Sequence, residues 1–104
     1  MSVVVINAVT VPAERRAEFE QRFAARAGQV SHADGFEAFE LLRPRDGDRY
    51  LVYTRWHSRE DFDRWMASSQ FAAGHRQHRE SGPVSRQSEV WELDVLESEY
   101  GPAR

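Results

Sequence analysis

The chain predicts an α+β fold of the ferredoxin-like kind, β-α-β-β-α-β with a four-stranded antiparallel sheet, and three observations carry that expectation. Apolar runs of strand length open and close the sequence, at Ser2 to Val11 and at Arg86 to Leu96. Two more strand-like runs sit side by side in the middle, joined by the turn sequence Arg45-Asp46-Gly47-Asp48. Between the outer and inner runs, the spacing of apolar residues changes from a period of two to helical spacing.

The first run, with Val3, Val5, Asn7 and Val9 on one parity and Val4, Ile6, Ala8 and Thr10 on the other, reads as a strand buried on both faces. Pro12 suits a first helical turn, and Glu14 places an anion where the helix dipole favours one, so a helix is expected from about Pro12 to Val30. Phe19, Phe23, Ala27 and Val30 form its core stripe, with Glu18 and Arg22 as an i,i+4 ion pair. Asp34-Gly35 marks a turn. Strands are then expected at Phe36 to Arg43 and Arg49 to Trp56. Ser58 with Asp61 resembles a capping box opening a second helix that reaches about Ala67. A short helical piece follows from Ser69 to about Arg79, and Ser81-Gly82-Pro83 breaks it. The polar tail Glu97 to Arg104 is expected to fray.

With 104 residues, the chain reads as one domain, 1–104, that association would help to stabilise. Its 40% hydrophobic and 30% charged residues are ordinary for a soluble globular chain. No run is long enough to cross a bilayer and no signal peptide is evident, so a cytoplasmic protein without a membrane partner is expected. A formal net charge of -3 gives no reason to expect nucleic acid. The absence of cysteine removes disulfides, thiolate metal sites and cysteine nucleophiles. Two helices cover only one face of such a sheet, yet the first and third strands carry apolar residues on both. An uncovered apolar face marks an interaction surface, and a second copy in a two-fold homodimer is the expected partner.

Several residues stand out chemically. Asn7 interrupts the Val3, Val5, Val9 face, and a buried amide without a partner costs roughly 1–3 kcal/mol. It is either a structural amide or a donor aimed into a pocket between sheet and helices. Phe62, Trp65 and Met66 share one helical face, and Phe71 shares another with His75 if the short segment is helical. An apolar wall with one imidazole at its rim can hold a large flat ligand that carries a metal. His75 and His78 form a His-x-x-His pair without an acidic third ligand, a weak zinc signal. A haem iron, by contrast, needs only one axial imidazole, because the porphyrin supplies four nitrogens. His32 and His57 read as turn or strand-end residues. Arg22 and Arg26 lie one turn apart beside Phe23, either solvated or paired with carboxylates such as propionates. No flavin or nicotinamide motif, phosphate loop or nucleophile elbow occurs.

Asn7 in the first strand, Trp65 in the second helix and His75 ten residues beyond together resemble the IsdG-type haem-degrading monooxygenases, in the antibiotic biosynthesis monooxygenase (ABM) superfamily. The likeness runs over nearly the whole chain, from Val3 to Ala8 and Val11 to Ala13, through Arg22-Phe23-Ala24, Gly35-Phe36 and Leu41 to Pro44, to Trp56, Phe62 and Trp65. It leans toward the mycobacterial-type branch, although the Trp65 to His75 spacing matches the staphylococcal type and Gly74 replaces the usual alanine. A shifted register would make His78 the ligand instead. The resemblance implies a dimeric α+β barrel in which haem is both cofactor and substrate. His75 would bind iron, Asn7 would hydrogen-bond to the oxygen species and steer it to a meso carbon, and Trp65 would press the porphyrin out of plane. Phe23, Arg22 and Arg26 would line and anchor the pocket, and an external electron donor or reductase would drive ring opening and iron release. Two alternatives stay open: a cofactor-independent monooxygenase of polycyclic phenols or quinols, and a non-catalytic dimer binding haem or another small ligand.

Overall fold

A computed structural model describes residues 1–25, 32–68 and 87–102. In order, the elements are β1 (Val3–Thr10), a 3-10 turn (Ala13–Arg15) leading into α1 (Arg16–Ala25), β2 (Phe36–Leu42), β3 (Arg49–Trp56), α2 (Arg59–Met66) and β4 (Gln87–Asp94). The strands form one antiparallel sheet in the order β2-β3-β1-β4. This is the expected ferredoxin-like arrangement. Ala27, Val30 and the predicted Ser69 to Arg79 segment lie outside the described residues. Pro12 adopts an extended ψ of 146° and caps the 3-10 turn, so the α-helix proper starts at Arg16. The predicted last strand ends early, at Asp94 instead of Leu96, because among the described residues β4 pairs with β1 alone, whose ladder runs from Thr10 against Gln87 to Val3 against Asp94. Arg86 lies outside the described residues.

Register assigns the faces. Val3, Val5, Asn7 and Val9 of β1 stand beside Trp56, Thr54, Val52 and Tyr50 of β3, and this is the side on which both helices pack. Near one end, Val9, Val11, Phe19 and Tyr50 form a core against which Phe23, Leu41 and Val52 pack. Near the other, Val3, Val5 and Trp56 gather Ala33, Phe36, Phe62 and Trp65. Tyr50 and Trp56 are each 0% exposed. Burying such a ring removes roughly 150–250 Å² from water, on the order of 4–6 kcal/mol before entropy is counted.

The opposite face carries Val4, Ile6, Ala8, Arg55, Tyr53, Leu51, Leu93 and Trp91, with neither α1 nor α2 over it. Trp91 is 39% and Leu93 49% exposed there. Residues 95–102 after β4 form no regular element. They are tied by Val95 N–H to the Ser2 carbonyl at 3.0 Å, and by Arg55, which donates to Ser98 Oγ at 3.2 Å. The Arg55 guanidinium also lies 5.8 Å from the Tyr100 ring centre.

Polar contacts fix α1. Glu20 accepts from Arg43 Nε at 2.8 Å and Nη2 at 2.5 Å, and the Tyr50 hydroxyl donates to the same carboxylate. The expected Glu18–Arg22 pair forms at 3.1 Å. Helix α2 is fixed differently. Ser58 Oγ accepts from Asp61 N–H at 3.2 Å and donates to Asp61 Oδ2 at 2.8 Å, closing the N-terminal turn as the sequence suggested. Asp61 rests on Gly35, whose φ of +79° and absent side chain allow the approach. A Cβ there would fall 2.2 Å from Asp61 Cγ.

Two outcomes follow from these latches. Hydrogen bonds from Arg43 and then from Tyr50 hold the Glu20 carboxyl down to about 2, against an ordinary 4.5. Its support for the fold is therefore complete above about 4.5 and is lost as pH falls toward 2. Glu20→Gln is expected to cost about 1 kcal/mol at pH 7, because Arg43 is mostly solvated. In urea titrations its deficit relative to the parent should close as the medium is acidified below about pH 4.5. Gly35→Ala combines left-handed strain with overlap on Asp61 and should cost over ~2 kcal/mol. Gly47→Ala shares the strain, at φ +87°, but meets open space. It should cost about 1 kcal/mol, and equal urea midpoints for the two would remove the Asp61 contact from the account.

Candidate active site

Asn7 sits at the seam between the two apolar clusters. Its neighbours two residues away on the same face belong to opposite groups, Val5 to the Trp56 cluster and Val9 to the Tyr50 cluster. Across the ladder it faces Val52 on β3 and Val90 on β4. Val90 is 63% exposed, so the described residues leave the seam open toward β4. The Asn7 Oδ1 atom is buried without a hydrogen-bond partner among the described residues. A buried amide oxygen left this way costs roughly 1–3 kcal/mol. Rotating the amide by half a turn exchanges acceptor for donor at the same place.

Each wall of the seam comes from one helix. Trp65, in the last turn of α2, has its ring centre 5.7 Å from that of Trp56 at an interplanar angle of 37°. Phe23, in the last turn of α1, lies 5.0 Å from Phe19 and stacks on Phe39 at 6.2 Å and 23°. Arg22 precedes Phe23, and its guanidinium reaches Glu18 Oε2 at 3.1 Å. The structure thus brings Asn7, Phe23, Trp65 and the α1 end bearing Arg22 to the helix-covered side of one sheet. Arg26, His75 and His78 lie outside the described residues. His57 is exposed at the end of β3, its Nδ1 4.0 Å from Glu37 Oε2. Among the described residues, no group of three or more His, Asp or Glu is placed to hold a metal ion.

Phe39 was given no role of its own by sequence reasoning. Its parity with Leu41 marks it for the helix side, but a register shift between Phe36 and Ala38 hides that parity from the strand's start. What the arrangement offers is one amide between two aromatic clusters, with a guanidinium on the helix that carries Phe23. Such a setting suits a flat apolar molecule that carries an oxygen function near its centre and anionic groups at its edge.

Comparison with known proteins agrees. The chain matches the Antibiotic biosynthesis monooxygenase (ABM) family over residues 2–77 and belongs to that family. A heme oxygenase (mycobilin-producing) of Mycobacterium tuberculosis is 44% identical over 97 residues, which are 92% of this chain and 90% of the relative. The structure of the heme-degrader MhuD from M. tuberculosis, with two hemes bound in its active site, aligns with a TM-score of 0.82 and 41% identity, over 94% of this chain and 99% of that one. SnoaB, a cofactor-independent oxygenase from Streptomyces nogalater, aligns with a TM-score of 0.75 and 28% identity, over 93% and 95%. The resemblance to haem-degrading monooxygenases read from the residues is therefore borne out.

The unpartnered amide makes a prediction that needs no ligand. Asn7→Leu removes a buried polar group at nearly constant volume, so the ligand-free protein should gain about 1 kcal/mol, roughly 4–8 °C in Tm by calorimetry. An unchanged or lower Tm would mean that the amide is satisfied in the folded chain.

Proposed function

We propose that this protein is a haem-degrading monooxygenase, which binds haem as its substrate, opens the porphyrin at a meso carbon with O2 and external electrons, and releases the iron. The observation that carries the reading is Asn7 between two aromatic clusters, its Oδ1 buried without a partner among the described residues, in a chain of this family. The residues fit the substrate: the clusters accept its flat apolar faces, and the cation at the end of α1 suits its propionates. Haem, when bound, supplies the iron at which O2 is reduced.

The chain's own groups do the rest. The apolar walls exclude water, so that a hydrogen bond made inside is stronger than it would be in solvent. Asn7 would offer its amide as a hydrogen-bond donor where O2 is activated. Trp65 and Phe23 would pack against the bound porphyrin. Arg22 and Arg26 anchor the propionates, and His75 ligates the iron, with His78 as the alternative ligand. The open sheet face, with Trp91 and Leu93 exposed, pairs with a second copy to give a homodimer. Electrons come from a separate reductase in the cytoplasm. A second reading, oxygenation of a polycyclic phenol without cofactor, draws on the likeness to SnoaB.

Hemin titration separates the two readings. A shifted Soret band is expected in the parent and in His78→Ala and is expected to be lost in His75→Ala; no shift in the parent would overturn the proposal. With reductant in air, the Soret band should decay and iron should appear. Asn7→Ala should keep hemin binding and slow that decay on the order of 10²-fold, the cost of losing one aimed donor.

A further inference from the structure

We propose that Trp56 is a positioning residue, whose fully buried indole sets the plane of Trp65. The inference rests on the role proposed above for Trp65. Trp56 closes β3, paired with Val3 on β1 and Phe36 on β2, at 0% exposure. Three rings enclose it: Phe36 at 5.8 Å and 82°, Phe62 at 5.7 Å and 64°, and Trp65 at 5.7 Å and 37°. Two of these belong to α2, spaced i,i+3, so both turns of that short helix lean on one indole.

The two ends of α2 are held by different means. Its first turn is locked by Ser58, Asp61 and the bare backbone of Gly35. Its last turn meets the sheet through the Trp65–Trp56 contact. The Trp56 Nε1–H has no hydrogen-bond partner among the described residues, so ring packing rather than a polar tether orients it. Shape alone then passes from the sheet to Trp65. A smaller ring at position 56 leaves space beside Trp65, and the Trp65 indole turns to fill it, because close-packed interiors do not keep voids without cost.

Two indoles this close couple their transitions, which gives a readout in the ligand-free protein. Trp56→Phe and Trp65→Phe are each expected to abolish the far-UV circular dichroism couplet, while Trp91→Phe retains it. In the hemin complex, Trp56→Phe should copy the effect of Trp65→Phe: weaker out-of-plane porphyrin bands in resonance Raman spectra and turnover slowed roughly 3–10-fold. Hemin affinity should stay within about threefold of the parent. Val11→Ala, which opens a void in the other cluster, should lower stability but leave couplet, Raman bands and rate unchanged. If Trp56→Phe does not fold, Phe36→Leu removes a ring on the far side of Trp56 and should weaken the couplet and slow turnover in the same direction. Parent-like signals in Trp56→Phe or in its substitute, or the same changes in Val11→Ala, overturn the positioning role while the haem reading stands. If Trp65→Phe itself leaves the Raman bands and rate unchanged, the role of Trp65 on haem fails, and the positioning role falls with it.

Discussion

The helix-covered side of β1 is apolar at every position but one, and that one residue divides the interior. A continuous valine stripe would pack under a single layer of side chains and close the core. With Asn7 in the middle, apolar groups gather at the two ends instead, one set under α1 with Tyr50 and one under α2 with Trp56. Asn7 lies between them, its Oδ1 buried without a hydrogen-bond partner among the described residues. Tyr50 and Trp56 anchor the two sets at either end of β3.

The two helices are held to the sheet by different sets of contacts. Helix α1 is tied to the sheet by the Glu20, Arg43 and Tyr50 network, in which one carboxylate takes three donated hydrogen bonds. Such a tie is directional and tolerates small changes in packing volume, but it depends on charge. Helix α2 is held by a glycine contact at its start and by aromatic packing along its length. That packing is sensitive to volume, and the Arg59–Glu92 ion pair at 2.9 Å adds a charged tie to β4. Helix α1 therefore combines the packing of Phe19 on Tyr50 with the Glu20 network, and α2 combines aromatic packing with the Arg59–Glu92 pair.

Much of this was legible in the sequence, for reasons that can be assigned to particular residues. Both ends of β3 were read correctly because a Gly-containing turn precedes Arg49 and the Ser58 cap follows Trp56. Asn7 announced itself as an amide inside a valine run. Trp65 and Phe23 were visible through helical spacing. The tilt of Trp65 on Trp56 and the stacking of Phe39 on Phe23 were not, because they depend on cross-strand register and on the irregularity between Phe36 and Ala38. The 3-10 turn before α1 was missed because Pro12 is equally at home at a cap or in a first helical turn.

The parity of β1 ties the seam to the open face. Its odd residues, Val3 to Val9, build the clusters and the seam, while its even residues, Val4 to Thr10, lie beneath the surface through which association is proposed. Both sets are fixed by the same two ladders to β3 and β4. Because side chains alternate, a slip of one residue would place Ile6 or Ala8 in the seam and turn Asn7 outward. It would exchange both faces at once. Pairing on both sides over all eight residues makes that slip costly, since moving by one residue would set Tyr50 and Trp56 opposite β1 residues of the other parity. The central strand can therefore hold an uncompensated amide inward and an apolar surface outward, because the hydrogen bonds that fix its register are independent of either.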